Sequence, residues 1–315
     1  MRIKSALRNR THFAPLLLVL FLMVSAFSCQ PAKTIDNDPE RLVKHVILIG
    51  SDGLGAYAFE KAKVPNMNKM MQGGAYSFEA RAVLPSSSAV NWASMIMGSG
   101  SELHGYTQWG SKTPELESKV VGPEGIYPTI FSLVDAQLPD EKMGAVYTWD
   151  GIGYLFEKPL MDLDHNGKDD IETVTVAMDF FNKENPAFTF IHLTQPDNVG
   201  HDIGHDTPEY YTAVEEIDRL VGVILADLEK TGKINESVII LSSDHGGVGT
   251  GHGGKSLAEV EIPWIIYGHG IPQIGGPLKS SIVTYDTGAT IAHLLGLKMP
   301  QVWTGRPVME VFENN

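Results

Sequence analysis

Short apolar runs of strand length recur along this chain, and segments with helical periodicity separate them. The runs contain few polar residues, which is typical of strands that are buried on both faces of a parallel sheet. They are His45–Gly50, Gly144–Tyr147, Phe188–Leu193, Ser237–Ser242 and Pro263–Tyr267. The alternation of strands and helices predicts an α/β fold with a mostly parallel central sheet and helices on both faces.

Helical patterns with recognisable ends lie between these runs. Thr207 is a candidate N-cap, Pro208 follows it at the first helical position, and the pattern ends at Gly232. This helix carries apolar residues along one face, as a helix packed on a sheet requires. Three further helices are predicted, over 65–72, 127–138 and 286–295.

The first 28 residues predict an export signal that is not part of the fold. Four basic residues precede an apolar run over 16–24, which is too short to span a membrane comfortably as a helix. The sole cysteine, Cys29, stands where a bacterial lipoprotein signal is cleaved and lipidated, although Ala26 and Phe27 depart from that pattern. Plain secretion and an uncleaved anchor are the alternatives.

This division of the chain predicts both its domains and its location. We assign a lipoprotein-type signal peptide to 1–28, a polar tether to 29–43 and a catalytic domain to 44–315. We therefore expect an exported protein, periplasmic or at the cell surface, which a lipid on Cys29 anchors to the membrane.

The chain is acidic, and its charge excludes one class of partner. It contains 24 Lys and Arg residues against 38 Asp and Glu residues, a net charge of −14. Binding to a nucleic-acid duplex needs clustered positive charge, so we expect none. An anionic substrate would have to be attracted by something other than net charge. A single cysteine also excludes an internal disulfide and a Cys-based zinc site.

Carboxylates and histidines follow three of the apolar runs, close to where each predicted strand ends. Any one of them alone would be interpreted as a turn or surface residue. Ligand sites in open α/β sheets form at the C-terminal ends of strands, so these side chains are expected to converge. Asp and His without Cys suit zinc or manganese, and six ligands are too many for one tetrahedral ion. The six are Asp52, Asp197, His201, Asp244, His245 and His252.

A serine-rich turn supplies the candidate nucleophile. It leads into a segment that predicts a buried helix ending near Gly98. A serine at a helix start is either an N-cap or a nucleophile beside the positive end of the helix. Ser86 and Ser87 fit the cap, and Ser88 fits the nucleophile. Asn91 lies three residues further on the same helical side, so its amide is predicted to donate to the group that Ser88 attacks.

Taken in order, these motifs resemble those of the alkaline phosphatase superfamily. They are Ser-Asp-Gly over 51–53, Pro-Ser-Ser-Ser-Ala-Val-Asn over 85–91, Pro-Asp-Asn-Val-Gly-His over 196–201, Ser-Asp-His-Gly over 243–246 and Gly-His-Gly over 251–253. They are most similar to its type I phosphodiesterase/nucleotide pyrophosphatase branch, and the resemblance extends over most of the chain after the tether.

The resemblance implies an alkaline-phosphatase-like core and a phosphohydrolase with two divalent ions, zinc or alternatively manganese. It implies that one ion is held by Asp52, Asp244 and His245 and contacts Ser88, and that the other is held by Asp197, His201 and His252. Ser88 would attack the phosphorus of a small phosphate ester and form a phosphoseryl intermediate, which water then hydrolyses. Asn91 would contact a phosphoryl oxygen.

The residues leave the substrate class open. No Lys or Arg lies within the nucleophile or ligand motifs, although Lys255 directly follows the last one and Arg81 precedes the turn. This favours diesters, and a phosphomonoesterase on the same site is the alternative. A sulfatase is disfavoured, because no Arg follows Ser88 where its formylglycine motif needs one. An inactive binding lipoprotein is the contrasting class, and the complete ligand set argues against it.

Several residues near the motifs have two interpretations. Trp92 stands where the branch often has His, which we expect to alter the wall of the pocket and not the chemistry. Trp149 belongs either to the substrate side or to the core. His205 is interpreted as a loop residue, with replacement of His201 as the alternative.

The segment 162–170 resembles the first nine positions of an EF-hand calcium loop. The twelfth position is Thr173, where the loop needs a bidentate Glu. We therefore predict a solvated acidic turn before a helix. The alternative is a structural calcium ion at Asp162, Asp164, Asn166 and Asp170.

Overall fold

The computed structural model of this chain describes residues 39–274 and 276–312. The predicted signal peptide over 1–28, Cys29 and most of the predicted tether lie outside the described residues. The end of the tether segment already contacts the domain, since the backbone amides of Leu42 and Val43 donate to the carbonyl of Leu294. Among the described residues, no helix combines the length and apolar character needed to cross a membrane.

Seven strands form one sheet in the order β2-β7-β6-β1-β5-β3-β4. Their bounds are β1 His45–Ser51, β2 Ala75–Arg81, β3 Met143–Tyr147, β4 Leu163–Asn166, β5 Phe188–Leu193, β6 Ser237–Ser242 and β7 Glu261–Gly268. Among these described strands, β7 runs antiparallel to both of its neighbours, β2 and β6, and all other neighbouring pairs are parallel. The prediction of a mostly parallel α/β sheet is confirmed.

Strand β1 explains why the apolar runs are unbroken. Val46 and Leu48 pack into the core on one face of the sheet, while Ile47 and Ile49 pack into a second core on the other. All four side chains are at most 1% exposed. A strand covered on both faces has no solvent side, so the alternation of apolar and polar residues disappears.

Helices cover both faces of the sheet. They are α1 Pro65–Gly73, α2 Ser88–Met97, α3 Ser101–His104, α4 Ile130–Gln137, α5 Asp170–Glu184, α6 Asp197–Asp202, α7 Pro208–Thr231, α8 Leu257–Val260 and α9 Asp286–Leu294. Short 3₁₀ helices occur at Ala56–Glu60, Asp150–Tyr154, Lys158–Leu160, Lys233–Glu236 and Met309–Val311. The predicted start of α7 is confirmed, because the Thr207 side chain accepts from the amide of Tyr210.

The segment that resembles a calcium loop precedes a helix, as predicted, but it contains a strand where a solvated acidic turn is expected. Residues 163–166 form the edge strand β4, which holds Asp164 and Asn166 in an extended chain instead of a loop, and Asp162 lies at a bend just before it. Their side chains already have partners: Asp162 pairs with Lys142, Asp164 with Lys158, and Asn166 donates to the carbonyl of Tyr147. Asp170 begins α5 and accepts from Thr148 and from the backbone amides of Thr194 and Gln195. It thereby fixes the segment that follows β5.

Candidate metal centre and active site

Three adjacent parallel strands end at the candidate site. The order β6-β1-β5 within the sheet brings their C-terminal ends side by side. Asp52 directly follows β1, Asp244 and His245 follow β6, and Asp197 begins α6 shortly after β5. The sheet therefore delivers ligands from distant parts of the chain to one edge, as expected for an α/β fold.

Asp52, Asp244 and His245 form what we call the inner half-site. One ligand atom from each lies within 4.8 Å of the other two. Nε2 of His245 is 3.1 Å from Oδ2 of Asp244 and 3.6 Å from Oδ1 of Asp52. The three side chains are at most 5% exposed, so this half-site is buried.

Asp197, His201 and His252 form what we call the outer half-site. Nε2 of His201 is 3.4 Å from Oδ2 of Asp197 and 3.2 Å from Nε2 of His252. The His201 side chain is 46% exposed, so this half-site opens to solvent. The ring of His252 stacks on that of His245 with centroids 3.7 Å apart, which joins the two half-sites. The six predicted ligands are thus brought together.

The three histidines present the same nitrogen to the cluster. In each, Nδ1 lies within hydrogen-bond distance of a backbone carbonyl: that of Thr250 for His201, of Gly246 for His245 and of Ser86 for His252. A neutral histidine that donates from Nδ1 keeps a lone pair on Nε2. The backbone therefore favours the tautomer that a metal ion requires.

Three carboxylates of the cluster each have one oxygen without a hydrogen-bond partner among the described residues. These buried oxygens are Oδ1 of Asp52, Oδ2 of Asp244 and Oδ1 of Asp197. Burial and the nearby Asp52 raise the pKa of Asp197 to about 8, and the same two causes raise the pKa of Asp244. Burial is the largest single influence on His245 and opposes its charged form, but Asp244, Asp52 and Asp197 together outweigh it and raise the His245 pKa to about 10. Carboxylates and imidazoles arranged in this way fit divalent cations such as zinc or manganese.

Asp52 is oriented by two buried donors. Its Oδ2 lies 3.1 Å from Nε1 of Trp92 and 3.1 Å from Nε2 of His192. Burial alone would raise the pKa of Asp52, but the hydrogen bond from His192 and the charge of His245 hold it below its ordinary range. Trp92 thus reaches a ligand, which the sequence analysis did not predict. His192 was also missed, and its only signal was a polar residue inside the apolar run of β5.

Ser88 is the first residue of α2 and lies beside the inner half-site. Its Oγ is 3.2 Å from Nε2 of His245, and the residue is 6% exposed. The positive end of the α2 dipole therefore faces the hydroxyl that was predicted to be the nucleophile. Ser87 occupies the N-cap position without a side-chain cap bond, and Ser86 donates to the carbonyl of Gly254. The capping predicted for those two serines is not formed.

Asn91 faces the turn and not the cluster, which corrects its predicted role. Its Nδ2 donates to the carbonyls of Val83, Pro85 and Ser87, and its Oδ1 accepts from the amide of Val83 at 2.7 Å. The residue is fully buried. With its amide occupied by the backbone, Asn91 holds the turn that carries Ser88.

A cavity of about 190 Å³ opens onto Asp52, Ser88 and the outer half-site. Trp109, Trp149, Thr194 and Asn198 complete its lining. No Lys or Arg lines this cavity in the described part of the chain, and Arg81 instead pairs with Glu261. Trp149 lines this cavity and also packs against the hydrophobic core. Trp109 is 67% exposed and was not singled out from the sequence, because one aromatic residue in a loop carries no pattern.

The family of the chain is settled by comparison with known proteins. The model of the type I phosphodiesterase/nucleotide pyrophosphatase family matches residues 46–257, which contain all six ligands and Ser88. The chain belongs to this family. The match covers most of the described fold, from the start of β1 to the start of α8.

Members of this family are among the chain's curated relatives. A mouse protein, ectonucleotide pyrophosphatase/phosphodiesterase family member 1, is 27% identical over 70% of this chain and 26% of its own length. A venom phosphodiesterase from Macrovipera lebetinus is 23% identical over 64% of this chain and 25% of its own length. The chain thus spans about a quarter of the length of these relatives.

Solved structures confirm the alkaline-phosphatase-like fold. Murine ectonucleotide pyrophosphatase/phosphodiesterase 5, in an inactive form in complex with AMP, superposes with a TM-score of 0.68. It is 15% identical, and the similarity covers 85% of this chain and 98% of that one. A 2-O GAG sulfatase superposes with a TM-score of 0.70 at 16% identity, over 86% of this chain and 74% of that one. At these identities the similarity concerns the fold.

Proposed function

We propose that this chain is a metal-dependent phosphodiesterase that acts through Ser88. The observation that carries the proposal is the position of one hydroxyl: Ser88 Oγ lies at a helix N-terminus, 3.2 Å from Nε2 of His245, beside six convergent Asp and His ligands. Family membership supports the same chemistry. We assign Asp52, Asp244 and His245 to one ion and Asp197, His201 and His252 to the other, with zinc expected and manganese as the alternative.

The proposed reaction proceeds in two displacements. Ser88 Oγ loses its proton and attacks phosphorus, and the bond from phosphorus to the leaving-group oxygen breaks, so that the leaving alcohol takes up a proton. Ser88 then carries a phosphoryl group that keeps the other alcohol of the diester. A water molecule then attacks phosphorus, and the bond to Ser88 Oγ breaks. Two bound divalent ions would supply the positive charge that stabilises the serine alkoxide and the phosphoryl oxygens. The N-terminus of α2 adds a partial positive charge at the same place.

The charge of the cavity favours a diester over a monoester. A monoester carries one more negative charge near the nucleophile, and enzymes that hydrolyse monoesters commonly need an additional cation there. The described lining of this cavity contains no Lys or Arg. A phosphomonoesterase remains the alternative to be tested. The sulfatase alternative has in its favour the similarity of fold and a sequence match to a rat steryl-sulfatase, 28% identical over 41% of this chain. Against it, the run Ser87-Ser88-Ala89-Val90-Asn91 has no arginine where the formylglycine motif needs one.

The test compares a simple aryl phosphate with the matching bis-aryl phosphate. With the purified full-length chain in Zn²⁺, we expect the diester to be hydrolysed faster. Ser88→Ala should abolish turnover while bound zinc, measured by elemental analysis, stays unchanged. Ser94→Ala is the matched control, because Ser94 lies on the same helix and contacts another buried histidine, His104, at 2.9 Å. Turnover by Ser88→Ala equal to that of the unmodified chain would remove Ser88 as nucleophile.

We also propose that the chain is exported and lipid-anchored at Cys29. The basic residues, the following apolar run and the position of Cys29 support this. Metabolic labelling with a fatty acid should label the unmodified chain but not Cys29→Ser. Equal labelling of both forms would contradict the anchor.

A further inference from the structure

A buried histidine lies behind the carboxylate of the outer half-site. His205 follows α6 in the chain, and its side chain is fully shielded from solvent. Its Nε2 is 4.0 Å from Oδ1 of Asp197. Both atoms are buried, and neither has a hydrogen-bond partner among the described residues. Each could therefore become the hydrogen-bond partner that the other lacks.

The surroundings of His205 fix its ring between the two ligand-bearing loops. A Cβ atom added at Gly200 would lie 2.5 Å from Nε2, and one added at Gly247 would lie 2.2 Å from it. Gly200 belongs to α6, which carries Asp197 and His201. Gly247 lies in the loop after β6, two residues after His245. The backbone amide of His205 donates to the carbonyl of Gly249 at 2.7 Å. The ring therefore lies between α6 and the loop after β6.

The other ring nitrogen indicates which tautomer is present. Nδ1 of His205 lies 3.3 Å from the hydroxyl of Tyr57, whose other acceptor, the Gly247 carbonyl, is at 3.5 Å. Burial raises the pKa of Tyr57 well above its ordinary value, so the phenol keeps its proton and can donate. When Tyr57 donates to Nδ1, the proton of the neutral ring is on Nε2. His205 then points an N–H at Oδ1 of Asp197.

We propose that His205 is a positioning residue for the outer half-site: its Nε2–H binds Oδ1 of Asp197 and leaves Oδ2 free for a metal ion. A closing movement of about 1 Å would bring the two atoms to hydrogen-bond distance. This inference rests on the proposed function, since it assumes that Asp197 is a ligand. Ligating carboxylates are commonly held by such outer partners.

The inner half-site contains the same arrangement in a completed form. His192 lies behind Asp52 with its Nε2 3.1 Å from Oδ2, while Oδ1 of Asp52 faces His245. In both half-sites one carboxylate oxygen faces the cluster and the other faces a buried histidine. The recurrence argues that His205 is more than a core residue that fills space.

Zinc binding by the full-length chain tests the proposal through two substitutions of one residue. Glutamine places its amide nitrogen near the position of Nε2, whereas asparagine places it near Nδ1. After removal of metal, Zn²⁺ titration against a competing chelator should give two equivalents for the unmodified chain. In His205→Asn, one equivalent should bind about 10–100-fold more weakly. His205→Gln should stay close to the unmodified chain. Tyr57→Phe keeps the aromatic ring of residue 57 but removes the hydroxyl that donates to His205, and it should weaken binding of the same zinc equivalent by about 10-fold.

The control is His45→Asn, since His45 is also buried and contacts a backbone carbonyl, but it lies at the opposite end of β1. It should bind Zn²⁺ as the unmodified chain does. If His205→Asn binds both equivalents normally, the positioning role is overturned while the proposed function stands. If His205→Asn fails to fold, normal binding by Tyr57→Phe overturns the positioning role in the same way. Complete loss of one equivalent in both His205→Asn and His205→Gln would make His205 a ligand, which also overturns it. If the unmodified chain binds no Zn²⁺, the proposed function itself fails.

Discussion

The two half-sites differ in how the fold holds them. The inner half-site takes its ligands from positions at or next to the ends of β1 and β6, and its side chains are at most 5% exposed. The outer half-site takes its ligands from α6 and from the loop after β6, and His201 is 46% exposed. Ligands next to strands inherit the rigidity of the sheet, whereas ligands on surface loops can adapt. We infer that the inner half-site holds its ion more permanently.

The largest effect is expected at the inner half-site. Asp244→Asn keeps the size of the side chain but removes a charge that is fully buried beside Asp52 and His245. One metal equivalent should be lost, and the rate of diester hydrolysis should fall roughly 10³-fold, since a metal ion contributes several kcal/mol to such a transition state. Elemental analysis and steady-state kinetics check this. An unchanged metal content would exclude Asp244 from the site.

The rate at which metal is removed tests the difference between the inner and outer half-sites directly. When a chelator is added to the zinc-loaded chain, we expect zinc to leave in two phases, the faster one from the outer half-site. His201→Ala should abolish the fast phase and leave the slow one, while Asp244→Asn should do the reverse. A chromogenic chelator followed in a stopped-flow instrument measures both phases. A single phase in the unmodified chain would mean that burial does not separate the two ions.

The donors behind Asp52 provide a sharper test of the inner half-site. Trp92→Phe keeps an aromatic ring but removes the Nε1 donor to Oδ2 of Asp52. The affinity of the inner equivalent should fall about 10-fold, as is typical for loss of an outer partner of a ligand. Trp264→Phe is the matched control, because Trp264 is equally buried and donates from Nε1 to Thr287 instead. Equal zinc affinity in both variants would contradict a role for Trp92 at the site.

The smallest effect concerns the turn that connects Ser88 to the outer half-site. Asn91→Ala leaves buried carbonyls without donors and should lower the free energy of unfolding by about 1–3 kcal/mol. The turn also contains Ser86, whose carbonyl accepts from His252, so the outer equivalent should bind slightly more weakly. Asn66→Ala is the control, because Asn66 donates to Asp218 within the packing of α1 on α7. Denaturation should be similar in both variants, with the change in zinc binding confined to Asn91→Ala.

The parts of the fold that could be predicted from the sequence are those with a local signature. Strands β1, β5 and β6 are largely apolar because both of their faces are covered, and the predicted ligands follow where these strands end. Strands β2 and β4 were missed because each contains exposed charged residues, and the acidic residues at β4 pair with lysines that only the folded chain brings near.

The parts of the site that were missed depend on neighbours distant in sequence. Asn91 does lie on the same helical side as Ser88, but the preceding turn folds back and occupies its amide. His192 and His205 have no motif of their own, and each acquires a partner only when β1, β5 and the loop after α6 come together. Spacing along a helix predicts which side chains are neighbours. It does not predict which group from another part of the chain forms hydrogen bonds with those side chains.

The absence of Lys and Arg from the described cavity lining has a consequence for when the chain can work. Without its ions, the described lining of the pocket offers an incoming phosphate ester no lysine or arginine, and the carboxyl groups of Asp52 and Asp197 face it. The ester should therefore bind weakly. Binding of the ester would therefore depend on prior occupation by divalent ions. On the proposed function, the concentration of those ions in the chain's surroundings, more than that of the ester, would determine what fraction of the molecules is competent.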